Sequence, residues 1–353
     1  MLIGLICFGI IFYIGTVLFK KLHPQYEYKA IQQTHVDTIP RIGGILILTC
    51  LIFGYFYKSF FDFPIILILC CIPILYFGIK EDIYHTVGPK IRFIALTLSA
   101  FLLLYSFNID IYSISISFMQ PILNIEPLCF IFFSLALVGL ANGCNMIDGV
   151  NGLSSFYFLI SFFSFNAVNQ LLLTPSLFNP NYLHEFITLS LIIFIIFNYP
   201  LGKIFLGDHG NYFLALVLGL ITINFYSVNT NLSPWGAILL LFYPTAEAIF
   251  TIFRRVFIDK QSILNPDKEH LHSKLFLYLI KSNFSIAHSN NLVLPILIIF
   301  WLIPGILFYN FYNDPIKIHQ SLVVLIILYI ISYIFISKLN NIKQDESYKN
   351  ISK

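Results

Sequence analysis

Ser321–Ser337 reads SLVVLIILYIISYIFIS and contains no charged side chain. A helix needs roughly 20 mostly apolar residues to cross the hydrocarbon layer, with a working range of about 17–25. This stretch, taken with its neighbours, meets that requirement. Moving toward the N-terminus, the same character recurs at 2–19, 42–57, 64–80, 91–107, 127–141, 150–168, 185–199, 211–226, 234–253 and 291–310. With 320–337 these make about eleven transmembrane helices. The expected fold class is an all-α, polytopic membrane protein. It comprises an integral membrane domain over 1–338 and a polar tail over 339–353.

Composition agrees. The 353 residues are 58% hydrophobic, 17% aromatic and 10% charged, with a mean hydropathy of +0.84. Soluble domains are about 25% charged, and disordered chains are poor in large apolar side chains, so both classes are excluded. A secretory signal would account for one apolar stretch but not for a series reaching the C-terminus. Outer-membrane barrels show weak alternation rather than uninterrupted apolar runs. Nothing in the charge pattern calls for a nucleic-acid partner, and the lipid bilayer is the expected surroundings.

The few charges orient the chain. With the N-terminus outside, the cytoplasmic connections and the tail hold 18 of the 20 Lys and Arg residues, leaving only Lys58 and Lys317 on the other face. This is the positive-inside asymmetry, and it places the C-terminus in the cytoplasm. On the outer side, residues 108–126 (NIDIYSISISFMQPILNIE) alternate apolar and polar residues, which predicts a short hairpin or interfacial strand pair. The six cysteines lie in or beside apolar runs without metal-binding spacing and read as small core residues.

Candidate chemistry collects on the cytoplasmic connections. Glu81-Asp82 follows a span end and precedes Lys90 and Arg92; alone it reads equally as a solvated loop. In Asn142-Gly143-Cys144-Asn145-Met146-Ile147-Asp148-Gly149-Val150-Asn151-Gly152, three oxygen-bearing side chains recur every third residue. One helical turn would show them on one face. The alternative is a polar helix–helix contact. Gly207-Asp208-His209-Gly210 holds an Asp between glycines at the mouth of a span, either as an oxygen ligand for Mg2+ or as a self-bonded turn. His270 and His272 could grip one anion together from extended backbone, whereas in a helix they would diverge by about 200°. Without a Cys or a third His, they do not make a zinc site. Oxygen ligands and cationic anion-binders sharing one face fit a diphosphate-bearing substrate.

In order and spacing, these residues resemble the polyprenyl-phosphate N-acetylhexosamine-1-phosphate transferases. That superfamily includes the phospho-N-acetylmuramoyl-pentapeptide transferase and the GlcNAc-1-phosphate transferases of O-antigen assembly. The resemblance runs from His35 and Ile39-Pro40-Arg41-Ile42-Gly43-Gly44 through Gly78, Glu81-Asp82, Lys90 and Arg92. It continues with Asn142, Asn145, Asp148-Gly149 and Gly152-Leu153, then Gly207-Asp208 and Gly210. Pro244, Glu247, Arg254-Arg255, Pro266-Asp267, His270 and His272 complete it.

The resemblance implies a transferase that moves a sugar-1-phosphate from a UDP-sugar to undecaprenyl phosphate and releases UMP. This would be the first membrane step of an O-antigen-like surface polysaccharide, in the bacterial inner membrane with the active site facing the cytoplasm. It implies Mg2+, or Mn2+ in its place, held by Asp208 and Asn145. Asp82, Glu81 and Asp208 would be catalytic, with Asp82 and Glu81 near the lipid phosphate. Lys90, His270 and His272 would contact phosphates, with Arg41 and His35 among the substrate-binding residues. Asn142 and Asp148 would shape the nucleotide pocket. Homodimers fall within the family's range.

Three departures stand out. Glu81 replaces the first Asp of the usual pair, Asn211 follows the Gly-Asp-x-Gly turn where Ser is common, and Ser273 ends the histidine loop where a further His is frequent. UDP-GlcNAc, UDP-GalNAc and UDP-deoxyaminosugars fit the sequence equally. The competing classes are a secondary transporter and a catalytically altered homologue with a structural role. A transporter would carry its polar groups near the midplane, often within inverted repeats. Here they lie at one face, and no repeat is visible.

Overall fold

A computed structural model describes residues 2–23, 39–58, 65–172, 180–262 and 267–351, and no strand occurs among them. Helices occupy all eleven apolar stretches. The first nine helices are α1 (Leu2–Leu22), α2 (Gly43–Lys58), α3 (Ile65–Tyr84), α4 (Pro89–Ser106), α5 (Gln120–Leu123), α6 (Glu126–Met146), α7 (Leu153–Leu172), α8 (Pro180–Asn198) and α9 (Gly207–Val228). Beyond them, α10 (Trp235–Leu240) and α11 (Phe242–Phe253) part only at Leu241. The stretch 291–310 is divided among α13 (Ile286–Ile296), α14 (Ile298–Trp301) and α15 (Ile303–Phe311). Ile286–Ile296 and Ile298–Phe311 meet at 48°, near Pro295 and Pro304. Proline removes a helical donor and crowds the preceding turn, which accounts for the break.

Among the described helices, α4, α6, α7, α9 and the apolar part of α16 (Pro315–Ile351) are long and apolar enough to cross a membrane. The bent pair adds a sixth. With its hydrophobic composition, the chain is an all-α, multi-pass membrane protein. α16 continues without interruption from its apolar stretch into the polar tail.

The outer segment 108–126 departs from the expected strand pair. It forms a 3-10 turn at Ile111–Ser113 and the single turn α5. The apolar side of the segment is real, since Ile109, Ile111, Ile114 and Leu123 are buried, but a spacing of two holds only from Ile109 to Ile111. That side is met by turns because Ser113 Oγ donates to the Asp110 and Ser227 carbonyls and Pro121 starts a helical turn. The cysteines behave as read: all six are free, and all but Cys7 are buried.

α9 is the central helix. Of its apolar window 89% is buried, against 28% for α16. It packs against α2, α3, α4, α6 and α7. Small residues set the approach, as in other membrane bundles where helices meet by van der Waals contact. Gly44 of α2 lies against Gly210 of α9, and Gly143 of α6 against the Pro244 carbonyl of α11. The loop before α9 also satisfies the start of α2. Gly43 N donates to Phe205 O at 2.8 Å, Gly44 N to Leu206 O at 3.0 Å, and Phe205 N returns to Pro40 O at 3.0 Å. Two of the orphan donors of a helix start are thereby paired deep in the protein.

Candidate active site

The site lies where α3, α6, α8 and α11 end and α2, α4, α7 and α9 begin. Gly207 opens α9 with a φ of +77°, a conformation suited to glycine. A Cβ there would also strike Asp82 Oδ2 at 2.7 Å. Asp82 ends α3 and caps the first turn of α9. Its Oδ1 accepts Asp208 N–H at 3.0 Å, and its Oδ2 accepts His209 N–H at 3.2 Å and the His209 ring at Nδ1, 2.6 Å away. A carboxylate at a helix N-terminus satisfies orphan donors and meets the positive end of the helix dipole.

Two arginines neutralise this carboxylate pair. Arg41 Nη1 lies 3.4 Å from Asp82 and 3.3 Å from Asp208, and Arg92 Nη1 donates to the other Asp208 oxygen. Asp82 and Asp208 are buried, while the arginines remain about one-fifth exposed. Removing charge from water is costly unless it is paired and hydrogen-bonded, and both conditions hold here.

α6 stops at Met146, so Asp148 belongs to the turn leading into α7. Asn211 Nδ2 reaches Asp148 Oδ2 at 2.7 Å while also donating to Gly207 O, and Ser154 Oγ donates to Asn211 at 2.6 Å. Burial raises the Asp148 carboxyl to about 7. Arg41 and the Asn211 bond oppose that rise, whereas the Asp82 and Asp208 charges add to it. Asn145 donates to the Tyr212 hydroxyl at 3.3 Å.

The histidine loop closes the other wall. His270 is the extended N-cap of α12 (Leu271–Lys281), with φ −68° and ψ 150°, and His272 sits in the first turn. A cap followed by a helix resolves the alternatives of extended strand and helix. The rings stack 5.6 Å apart, 7° from parallel. Glu247 of α11 holds the arrangement, accepting from His270 Nδ1 at 3.1 Å, Leu271 N–H at 3.1 Å and the Tyr329 hydroxyl at 2.9 Å. Both ring nitrogens of buried His272 find no hydrogen-bond partner among the described residues, and a Cβ on Gly149 would lie 2.7 Å from its Nε2. Burial, ahead of the opposing Glu247 charge, lowers the His272 pKa to about 4.

Of the residues expected from sequence, Arg41, Asp82, Asp148, Asp208, Asn145, His270 and His272 enter this connected group. Glu81 does not join Asp82. Adjacent helical residues do not share a face, and Glu81 Oε2 accepts Val87 N–H at 2.8 Å in the α3–α4 loop. Asn142 bonds back to Val138 O of its own helix at 2.9 Å. Lys90, at the start of α4, is exposed. His35 lies outside the described residues. Sequence reading left out Arg92, His209, Asn211, Tyr212 and Glu247 as site residues. Arg92 and Glu247 stood in the motif pattern, whereas nothing in the sequence pointed to His209. Among the described residues, no three His, Cys, Asp or Glu side chains could hold a metal ion by themselves.

Residues 64–226 match the family described as glycosyl transferase family 4. The chain is 25% identical over 263 residues to the "Probable undecaprenyl-phosphate N-acetylglucosaminyl 1-phosphate transferase" of Bacillus subtilis (strain 168), covering 72% of this chain and 70% of the relative. It is 27% identical over 242 residues to the undecaprenyl-phosphate alpha-N-acetylglucosaminyl 1-phosphate transferase of Thermotoga maritima, covering 68% and 69%. It is 29% identical over 189 residues to the decaprenyl-phosphate N-acetylglucosaminephosphotransferase of Mycobacterium leprae, covering 48% and 45%. Fold and sequence together describe an all-α membrane protein whose central part resembles glycosyl transferases of family 4. Over about two thirds of its length the chain is similar to polyprenyl-phosphate N-acetylglucosamine-1-phosphate transferases.

Proposed function

We propose that this protein transfers an N-acetylhexosamine-1-phosphate from its UDP-sugar to undecaprenyl phosphate. An oxygen of the lipid phosphate attacks the phosphorus bearing the sugar. The bridge to the uridine-bearing phosphate then breaks, and UMP leaves with the bridging oxygen. The attacking phosphate is already ionised at neutral pH, so the protein need not supply a nucleophile. UDP-GlcNAc is the first sugar donor to test, since the relatives named above carry N-acetylglucosamine in their names.

The observation that carries this reading is the joining of Arg41, Asp82, Arg92 and Asp208 at the start of α9, with Asp148 bonded to the same helix and, beside its turn, the two His272 ring nitrogens that have no hydrogen-bond partner among the described residues. Arg41, Arg92 and His272 suit a diphosphate. The carboxylate of Asp208 and the amide oxygen of Asn145 are oxygen donors of the kind a hard cation takes. Asp208 and Asn145 would hold Mg2+, with waters and phosphate oxygens completing its shell. When bound, the ion neutralises charge building between attacking and leaving phosphates. Asp82 orients the start of α9 on which Asp208 stands.

In the cell, the reading is an eleven-span protein of the bacterial inner membrane, with its N-terminus outside and the site and C-terminus cytoplasmic. Its product would prime a surface polysaccharide. The asymmetry of Lys and Arg supports this orientation. Purified protein should release UMP from one of a panel of UDP-N-acetylhexosamines only when undecaprenyl phosphate and Mg2+ are both present. Absence of release across the panel would overturn the reading.

A further inference from the structure

Behind the Asp148 turn lies a set of asparagines that the reaction chemistry does not use. The backbone N–H of Asn151 donates to Asn290 Oδ1 at 2.7 Å, and that of Gly152 donates to Asn198 Oδ1 at 2.7 Å. Asn151 Nδ2 donates to Asn291 Oδ1 at 3.0 Å, while Asn198 Nδ2 donates to Ile204 O at 2.8 Å in the loop before α9. Tyr199 OH adds a bond to Asn291 O at 3.3 Å. Asn151, Asn198 and Asn290 are buried.

The placement of these bonds matters more than their number. Gly152 has a φ of +83°, so the chain turns sharply where Asn198 and Asn290 take up its amides. Asn290 and Asn291 sit on α13, directly after α12, whose first turn carries His272. His272 in turn rests on Gly149, in the same turn as Asp148. The α12–α13 unit therefore touches the turn twice, through His272 near Gly149 and through Asn290 near Asn151. A buried amide whose acceptor is lost costs the full desolvation of that group, so the turn has one well-determined position only while these acceptors are present.

We propose that Asn290, assisted by Asn291 and Asn198, is a positioning residue for the sugar-nucleotide side of the active site. It fixes the Asp148–Gly152 turn against the histidine loop so that Asp148 and His272 face the same ligand. This inference rests on the proposed transferase reaction and adds to it a residue that touches no substrate. Misplacing a binding group by a fraction of an ångström to an ångström is enough to impair catalysis markedly.

The test uses the full-length protein in detergent, with UDP-GlcNAc or whichever sugar donor the panel identifies. Asn290→Leu keeps the branched outline of the side chain, at a larger volume, and removes the acceptor, Asn290→Asp keeps the acceptor oxygen, and Asn291→Ala removes only the Asn151 side-chain contact. Asn290→Leu is expected to lower kcat/KM for the UDP-sugar by roughly tenfold, mainly through KM, with KM for undecaprenyl phosphate nearly unchanged. Asn291→Ala should move the same constant in the same direction by a smaller factor, and Asn290→Asp should restore much of the loss. If Asn290→Leu does not fold, Asn291→Ala decides, because its half-buried site tolerates the smaller side chain. Wild-type values for both UDP-sugar constants, or equal rises in both substrates' KM, would overturn the inference. An inactive wild-type protein would overturn the proposed reaction instead, so the two failures are distinct.

Discussion

Asp82 Oδ2 lies 2.6 Å from Nδ1 of His209, and both side chains are buried between α3 and α9. The ring nitrogen is read as the donor because the carboxylate can only accept. The same carboxylate takes up the backbone N–H groups of Asp208 and His209. Asp82 is thus committed to α9, and its first duty is to hold Asp208 in place. Asp82→Ala should lose activity and stability together, at a cost of roughly 3 kcal/mol or more, because Arg41 loses a carboxylate partner and two helix-start amides lose their acceptor. His209→Ala leaves the two backbone bonds standing and should cost less than Asp82→Ala. Thermal unfolding in detergent, alongside UMP release, checks that order. The reverse order would contradict the capping role.

Glu81 gives a cleaner separation of catalysis from support. Its carboxylate accepts Val87 N–H across a six-residue span of the α3–α4 loop. Gln offers an acceptor oxygen of the same reach. Glu81→Gln should therefore keep most of the wild-type kcat, whereas Glu81→Ala should lose a substantial part as the loop leading to Arg92 loosens. A loss in Glu81→Gln as deep as in Asp82→Ala would return Glu81 to the chemistry.

These residues also show what sequence can and cannot reveal. Apolar runs are a property of the chain alone, which is why the helices on the apolar stretches were visible, whereas α5 and α12, which lie outside them, were not. Spacing likewise marked Asp82, Asp148 and Asp208. Whether Glu81 points with Asp82 depends on the 100° step of the helix, and whether Asn142 faces substrate depends on a bond to its own Val138 carbonyl. His209 becomes intelligible only beside Gly44, which leaves room for its ring, and Gly78, which leaves room for its backbone. The Glu247–His270 bond joins residues 23 apart, and the Asn151–Asn290 bond joins residues 139 apart. No local period announces either.

Asp148 and His272 make opposite contributions to the pH dependence of stability. Folded His272 stays neutral down to about 4, while the unfolded chain takes up its proton below the ordinary 6.5. Stability is therefore lost as pH falls through that window. Folded Asp148 keeps its proton up to about 7, while the unfolded carboxyl ionises at 3.8, so stability is lost as pH rises through that window. The two effects offset one another in the wild type. Asp148→Asn should make the thermal midpoint rise more steeply with pH, and His272→Leu should make it rise less or fall. Midpoints measured in detergent without metal or substrate check both signs, and parallel wild-type and variant curves would refute them.

Gly44→Ala tests the packing that brings the first and last parts of the site together. A Cβ at this position would lie 2.6 Å from the Gly210 backbone nitrogen and 2.6 Å from His209 Cδ2. The first neighbour is backbone in the opening turns of the most buried helix, so it cannot rotate away as a flexible side chain could. The second is a ring pinned by Asp82. α2 must therefore move off α9, which stretches the Gly43–Phe205 and Gly44–Leu206 bonds and draws Arg41 from Asp208. Overpacking of this kind costs typically about 1–3 kcal/mol. Gly139→Ala is the matched control, since its Cβ would meet nothing within 4 Å. In mid-helix it should be neutral or stabilising by roughly 0.5–1 kcal/mol. Gly44→Ala should thus lower both the thermal midpoint and UMP release, while Gly139→Ala lowers neither. Equal effects of the two would mean that the α2–α9 contact does not set the position of Asp208.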